Sequence, residues 1–293
     1  MAPIGMQPTP LSSFCSYWKG RTPKLAVRNA LSSAFPDLAT LPLPIDVAGL
    51  AKRRGIREII YTELQSDGQI SRSPSGDYVV YLHSAQPEPR RRFTLAHEIA
   101  HTFFFEARQF GLQRYMGDGA LPSRDPEEER LCDFAATEIL MPAARVSSLI
   151  RRQGYSANTL LHATQKFRSS LRSTARRLGE VGRFKLLVHF WEQDVSTGTF
   201  LSIWHEGIGA RARAEGEPSV VTADQPAHKT FSSAEKFRGR YWLSLGGPLE
   251  HYFVDGLLLS AKPRRILTIT ILDRLAELLP GERVEEVPQQ TLF

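Results

Sequence analysis

The 293-residue sequence is poor in cysteine and contains no long apolar run. Its two cysteines, Cys15 and Cys132, are too few for a disulfide framework and lie far apart. No run of about 18 apolar residues is present, which excludes a transmembrane helix. The N-terminal segment lacks the basic start and apolar core of a signal peptide. We therefore expect a cytoplasmic protein with no membrane contact.

The composition shows no strong bias of charge or hydrophobicity. A hydrophobic content of 42% and a charged content of 23% are those of a globular protein and argue against disorder. The length exceeds that of one average domain and predicts two or three. The net charge of +6 is compatible with nucleic-acid contact but does not establish it.

The most informative stretch is Phe93–Phe105, in which apolar residues surround His97, Glu98 and His101. No glycine or proline interrupts the stretch, which predicts a helix. Residues four apart share one face of a helix, so His97 and His101 are expected to point at a common divalent metal ion such as zinc. Glu98 could then act as general base on a water at that metal. The pattern predicts a metallopeptidase.

A third metal ligand is expected from the following helix, which is predicted to begin at Asp125 and to end near Pro142. An Asp at the N-cap, a Pro at the first position and acids in the first turn favour a helix start. Glu128 lies one turn before Leu131 and Cys132, so its carboxylate is predicted to point inward with the apolar face. Geometry alone leaves Glu127, Asp133 and Glu138 open as alternatives, and Glu127–Glu129 could equally face water. Cys132 is interpreted as a small buried residue rather than a ligand.

The segment before the histidine-bearing helix is predicted to form a helix over 45–55 and short strands over 57–64, 70–73 and 78–82. This order is typical of zinc-dependent peptidases, in which an edge strand beside the active-site helix holds the substrate backbone. The strand over 78–82 is the predicted strand beside the site. A group that stabilises the oxyanion is also expected, and the candidates are Tyr78, Tyr81, Tyr115 and Tyr155.

Two motifs resemble those of the ImmA/IrrE family of metallopeptidases. The stretch Arg91–His101 is similar to the family's RxxFTLAHELGH, with Ala100 in place of glycine. The stretch Glu128–Ala136, followed by Ile139-Leu140-Met141-Pro142, is similar to ExxANxFAxxLLMP. Together with the helix over 45–56, the resemblance covers about residues 45–145.

The resemblance implies a role for each matching residue. His97, His101 and Glu128 are implied to be the metal ligands, with zinc or manganese as the metal, and Glu98 is implied to be the general base. Cys132 stands where the family has asparagine, which implies the loss of a hydrogen bond that would support Glu128.

Members of the family are implied to cleave a helix-turn-helix transcriptional repressor. In its full layout the chain is similar to the IrrE branch, which regulates the radiation response of the Deinococcus group, so induction of the DNA-damage response is implied. We expect an α+β protein with a zincin-like metallopeptidase domain, a small helix-turn-helix-like helical domain and a GAF-like α/β domain. The expected bounds are a flexible tail over 1–22, then domains over 23–148, 149–183 and 184–293.

Residues 151–183 contain eight basic residues and one acid, Glu180. Two predicted helices, over 159–167 and 170–178, are spaced like a helix-turn-helix unit. Such a pair could contact DNA phosphates or an acidic face of a protein substrate. A helical domain with a solvated basic face is the simpler interpretation, because the motif recurs in folds that do not bind DNA. The alternative function is a DNA-binding transcriptional regulator with a vestigial peptidase site.

The last part of the chain favours strands, which fits a sensor domain that receives a small ligand or signal. The strands are predicted over 184–191, 199–205, 220–222, 241–245 and 252–259, with an amphipathic helix over 266–279. Four histidines are scattered here and are interpreted as ordinary surface or core residues rather than a second metal site: His189, His205, His228 and His251.

Overall fold

A computed structural model of the chain describes residues 10–73, 76–112, 125–183, 185–208, 220–243 and 250–272. The chain divides into two compact units, one drawn from residues 1–145 and 166–170 and the other from 146–165 and 171–293. Most of the segment 149–183, predicted as a separate helical domain, therefore falls in the second unit. Within the described ranges, no helix combines the length and the apolar character that a membrane span requires.

Residues 10–17 form a helix, although they lie within the segment predicted as a flexible tail. This helix, α1 (Pro10–Tyr17), is anchored by Phe14, which is 1% exposed and stacks on Phe104 with ring centroids 4.0 Å apart. The Nε1–H of Trp18 donates to the carbonyl of Phe103 at 3.3 Å. The prediction missed the helix because a few aromatic contacts, rather than a periodic apolar face, hold this short segment. Residues 1–9 of the predicted tail lie outside the described residues.

Two helices with side-chain N-caps follow. Helix α2 (Pro23–Ala34) begins after Thr22, whose Oγ1 accepts the N–H of Leu25. Helix α3 (Val47–Arg53) begins after Asp46, whose carboxylate accepts the N–H of Gly49. Such caps satisfy N–H groups that have no partner within the helix. The helix predicted over 45–55 is confirmed.

A three-stranded sheet comes next, and its strands match the prediction. The spatial order is β1-β3-β2, in which the central strand β3 runs parallel to β1 and antiparallel to β2. Val80 of β3 is fully buried between Ile59 of β1 and Ile70 of β2. The strand predicted beside the site is therefore the central one, and β1 and β2 form the edges. The bounds are β1 (Ile56–Thr62), β2 (Gly68–Arg72) and β3 (Tyr78–His83).

Two longer helices complete the first unit and carry the predicted site residues. Helix α4 (Glu88–Leu112) contains both histidines, and helix α5 (Pro126–Leu140) follows the N-cap Asp125, whose carboxylate accepts the N–H of Glu127. The two helices pack against each other. The apolar residues of α4 and α5 form much of the core of the unit; they include Leu95, Ala96, Ile99, Phe103, Leu131, Ala135 and Ile139.

The second unit contains a six-stranded antiparallel sheet in the order β6-β5-β4-β9-β8-β7. Its core cluster includes Trp191, Phe200 and Phe231, all fully buried. Residues 143–145 of α6 and 166–167 of α7 are counted with the first unit, and the other residues of the elements from α6 onward with the second. The bounds are α6 (Ala143–Gln153), α7 (Ala157–Phe167), α8 (Leu171–Gly182), β4 (Leu186–Gln193), β5 (Phe200–Ile208), β6 (Val220–Val221), α9 (Pro226–Ser233), β7 (Lys236–Leu243), β8 (Glu250–Ala261) and β9 (Arg264–Ile271).

The predicted helix over 266–279 is wrong for residues 266–271, which belong to strand β9. This strand pairs with β4 on one side and β8 on the other, and all six residues are buried. Alternating isoleucine and threonine favour a strand because β-branched side chains pack well on a pleated sheet. The part of the predicted helix beyond residue 272 lies outside the described residues.

Candidate metal centre

Two imidazole nitrogens converge on one face of α4. His97 and His101 stand four residues apart, and their Nε2 atoms are 3.2 Å apart. The side chain of His101 is 6% exposed and that of His97 is 13% exposed, so both imidazoles are largely removed from water. The structure thus brings the two predicted histidines together as the helical spacing requires.

The carboxylate that faces this nitrogen pair is that of Glu129. Its Oε2 lies 3.1 Å from Nε2 of His97, and its Oε1 lies 3.5 Å from Nε2 of His101. Glu128, the predicted third ligand, is turned to the other side of His101, where its Oε1 lies 3.1 Å from Nδ1. Both glutamates therefore lie at the site, but Glu128 faces Nδ1 of His101 and Glu129 faces its Nε2.

The family motif itself contains the signal that identifies Glu129. When ExxANxFAxxLLMP is aligned on its last four residues, Ile139 to Pro142, its glutamate falls on Glu129 and its asparagine on Asp133. The alignment that began at Glu128 is one residue out of register with that ending. Asp133, rather than Cys132, therefore occupies the asparagine position, and its carboxylate lies 2.8 Å from Nδ1 of His97 rather than against Glu128.

The spacing of the three groups fits a metal site. Two ligand atoms that each lie about 2.0–2.1 Å from a tetrahedral zinc ion are about 3.3 Å from one another. The three separations, 3.2 Å between the imidazoles and 3.1 and 3.5 Å to the carboxylate, are close to that value. Two imidazoles and one carboxylate also form a donor set that zinc accepts, with a fourth position left for water.

Each histidine has a carboxylate on its outer nitrogen. Nδ1 of His97 lies 2.8 Å from Oδ1 of Asp133, and Nδ1 of His101 lies 3.1 Å from Oε1 of Glu128. Burial disfavours the charged form of His97, but the bond to Asp133 and the charges of Glu98 and Glu129 outweigh it and raise the pKa of His97. Such partners hold the outer nitrogen as the protonated one and leave Nε2 to a metal.

Cys132 also lies beside the imidazoles. The ligand atoms of His97, His101 and Cys132 all lie within 4.8 Å of one another, so this group could also hold a metal. The sulfur is 3.5 Å from Nδ1 of His101, the nitrogen that faces Glu128 rather than His97. Burial, reinforced by the charge of Glu128, raises the pKa of the Cys132 thiol well above its ordinary value. The sulfur thus lies on the Nδ1 side of His101, whereas Glu129 faces both Nε2 atoms, so His97, His101 and Glu129 are the candidate ligand set and Cys132 is the alternative third ligand.

Glu98 follows His97 directly on α4 and is buried. Its side chain is 1% exposed, and its charge acts on His97. Gly68, the first residue of β2, lies directly over it, since a Cβ built on Gly68 would stand 3.2 Å from Oε1 of Glu98 and would collide with Cγ2 of Thr94. Strand β2 is therefore the edge strand that passes the site, a position that the sequence could not assign.

The predicted oxyanion candidates lie in different places. Tyr78 is half-buried and stacks on Phe105 at 5.8 Å, and Phe105 in turn stacks on His101 at 6.1 Å. Burial raises the pKa of Tyr78. Tyr81 lies in the middle of β3, and Tyr155 is buried in the second unit. Tyr115 lies outside the described residues.

Three of the eight basic residues of the predicted helix-turn-helix segment form ion pairs within their own units. Arg172 and Arg176 of α8 both pair with Glu206 of β5, at 3.3 and 2.6 Å. Arg168 pairs with Glu88 at 3.1 Å. The two predicted helices are confirmed as α7 and α8. The side chains of Arg168, Arg172 and Arg176 are each paired with a carboxylate.

Three comparisons with known proteins were informative to different degrees, and the family match alone bears on the motifs of α4 and α5. One solved structure that resembles the chain, a Mycobacterium tuberculosis transcriptional regulator, is 14% identical with a TM-score of 0.46, and the match covers 88% of this chain and 92% of that one. No curated protein matches the chain. Residues 51–179, which include α4 and α5, match the family described as IrrE N-terminal-like domain, Peptidase_M78, and this match supports the resemblance to the ImmA/IrrE family.

Proposed function

We propose that the chain is a zinc-dependent, site-specific endopeptidase. His97, His101 and Glu129 are the metal ligands in this proposal, Glu98 is the general base, and manganese is the second candidate metal. The observation that carries the proposal is the set of three ligand separations of 3.1, 3.2 and 3.5 Å, close to those of a tetrahedral ion. The family match over residues 51–179 points to the same class of enzyme.

The chemistry divides between the metal and the protein. Bound at this site, zinc would supply Lewis-acid activation of a water and of a peptide carbonyl. Glu98 accepts the proton of that water and passes it to the leaving amine. Its burial favours this role, because a carboxylate removed from bulk water keeps the proton it has taken for transfer to the substrate.

The substrate is proposed to be a helix-turn-helix transcriptional repressor, cut in an extended segment. Strand β2 lies at the edge of its sheet and begins over Glu98, so a substrate strand paired with its outer edge would pass the general base. The identity of the repressor, and with it induction of a DNA-damage or radiation response as in the IrrE branch, rests on the family resemblance.

The remaining parts of the chain are assigned to recognition and control. We propose that the six-stranded sheet of the second unit belongs to a GAF-like sensor domain that receives a small ligand or signal. The pairing of Arg172 and Arg176 with Glu206 counts against the DNA-binding alternative, because one carboxylate offsets half of their positive charge and so weakens their attraction for phosphates.

The test is cleavage of a purified candidate repressor by the full chain, with the metal removed and then with zinc or manganese restored. Metal-dependent cutting by the natural chain and none by Glu98→Gln, with zinc bound equally by both proteins, is the expected result. Cutting by Glu98→Gln would remove the base role. No cutting with either metal, together with salt-sensitive DNA binding that survives His97→Ala, would favour the regulator instead.

A further inference from the structure

Glu128 is held between two residues of α4. Its Oε1 lies 3.1 Å from Nδ1 of His101, and its Oε2 forms an ion pair with Nη2 of Arg108. The side chain of Glu128 is 9% exposed and that of Arg108 is 22% exposed. Arg108 follows His101 by seven residues, two helical turns, and therefore lies on the same face of α4.

A second contact connects Arg108 to the same histidine. Its guanidinium lies over the ring of Phe105, 5.9 Å from the centroid, and Phe105 stacks on His101 with an angle of 18° between the rings. The three side chains thus form a column along α4, and Glu128 of α5 connects its two ends. A guanidinium that is both stacked and ion-paired has little freedom to leave its carboxylate partner.

The geometry points to Arg108 as a positioning residue for the metal centre. We propose that Arg108 orients Glu128 so that Oε1 accepts the Nδ1–H of His101, which fixes the ring with Nε2 toward His97 and Glu129. Without Arg108, the buried carboxylate of Glu128 would keep only His101 as a partner and would turn toward water. The inference rests on the proposed metal site but not on the identity of the substrate.

The size of the effect follows from the role of such outer partners. Loss of a hydrogen-bond partner of a ligating histidine typically lowers metal affinity about 10–100-fold. We expect Arg108→Met to weaken zinc binding about 10-fold and Arg108→Lys to restore most of it, since lysine keeps the charge. Arg90→Met is the matched control, because Arg90 lies on the same helix and is also ion-paired, but with Asp67.

The experiment measures the zinc dissociation constant of each full-length variant by competition with a chromophoric chelator, and the absorption spectrum after loading with cobalt. If Arg108 acts through Glu128, Arg108→Met should add less than about 3-fold to the effect of Glu128→Gln in the double variant. The cobalt spectra of Arg108→Met and Glu128→Gln should then change in the same way. Circular dichroism of the metal-free proteins checks that each variant is folded.

Two results would overturn the inference. Unchanged zinc affinity in Arg108→Met would show that the ion pair does not position Glu128, and multiplied effects in the double variant would show that Arg108 acts independently of Glu128. Failure of the proposed function is distinguishable, because the natural chain would then bind zinc and respond to these substitutions without cutting any repressor. If the natural chain binds no zinc, the metal site itself is refuted.

Discussion

Oδ1 of Asp133 on α5 lies 2.8 Å from Nδ1 of His97 on α4. The aspartate is more than half exposed while the imidazole is largely buried, so the pair connects Nε2 of His97, a proposed ligand atom, to the protein surface through one ring. In the register that places Glu129 as a ligand, Asp133 follows it by four residues and so shares its face of α5. One face of one helix thus supplies both a proposed metal ligand and the partner of another ligand.

Replacement of Asp133 tests the value of this outer bond. We expect Asp133→Ala to lower zinc affinity about 10–100-fold, because His97 loses the partner that fixes its tautomer. Asp133→Asn should retain much of the affinity, since its amide oxygen can still accept the Nδ1–H. Zinc affinities from chelator competition check this, and equal affinities for Ala and natural proteins would contradict the role.

The neighbouring glutamates should differ sharply when each is changed to glutamine. Glu128→Gln alters only a hydrogen-bond partner of His101 and should lower zinc affinity about 10–100-fold. Glu129→Gln removes a proposed ligand and should lower zinc affinity by much more. The two variants are matched in chemistry and adjacent in sequence, so each is the control of the other. A larger loss for Glu128→Gln in a zinc titration would restore Glu128 as the third ligand.

Gly68 should resist any added side chain. The Cβ of Gly68→Ala would collide with Cγ2 of Thr94, so β2 must shift away from α4, at a cost of about 1–3 kcal/mol. Cleavage of the proposed repressor substrate should fall with this shift, while zinc affinity stays unchanged. Thr94→Ser removes the colliding methyl group, and the double variant should recover thermal stability; no recovery would place the strain elsewhere.

The buried histidine of the second unit should make stability depend on pH. Burial, with the nearby His205, lowers the pKa of His189 to about 3. The ordinary pKa of about 6.5 applies in the unfolded chain, so between these values the unfolded state binds more protons. The free energy of unfolding should therefore fall as the pH drops below about 6.5, by up to about 1.4 kcal/mol per pH unit.

His189→Gln isolates this contribution, because glutamine does not titrate. Urea unfolding should be measured at about pH 7.5, 6 and 5, which lie above and below the ordinary histidine pKa of about 6.5. The free energy of unfolding should fall more steeply with decreasing pH in the natural protein than in the variant. Parallel losses in both proteins would assign the pH dependence to other groups.

The sequence predicted those features that depend on local pattern. The spacing of His97 and His101 is a property of one helix, and the start of α5 follows from Asp125 and the proline after it. The strands of the first sheet are likewise bounded by turn residues. These elements needed no knowledge of their neighbours in space.

The features that the sequence did not predict depend on packing between elements. Glu128 and Glu129 differ by about 100° around α5, so the rotation of α5 against α4 decides which carboxylate faces the Nε2 atoms. The segment of β9 was predicted as a helix because its apolar residues continue into an amphipathic pattern in the sequence. In the structure it is a strand, because it pairs with β4 and β8. Helix α1 depends on Phe104, about 90 residues away in sequence.

The stack of Phe14 on Phe104 also limits how short a stably folded fragment of this chain can be. The segment that matches the known family begins at residue 51, but the helix with both histidines rests on rings contributed by Phe14, Trp18 and Phe35. A fragment limited to residues 51–179 would lack these three rings and would expose Phe103 and Phe104 of α4 to water. The smallest fragment that folds by itself around the candidate metal centre should therefore begin at or before residue 10.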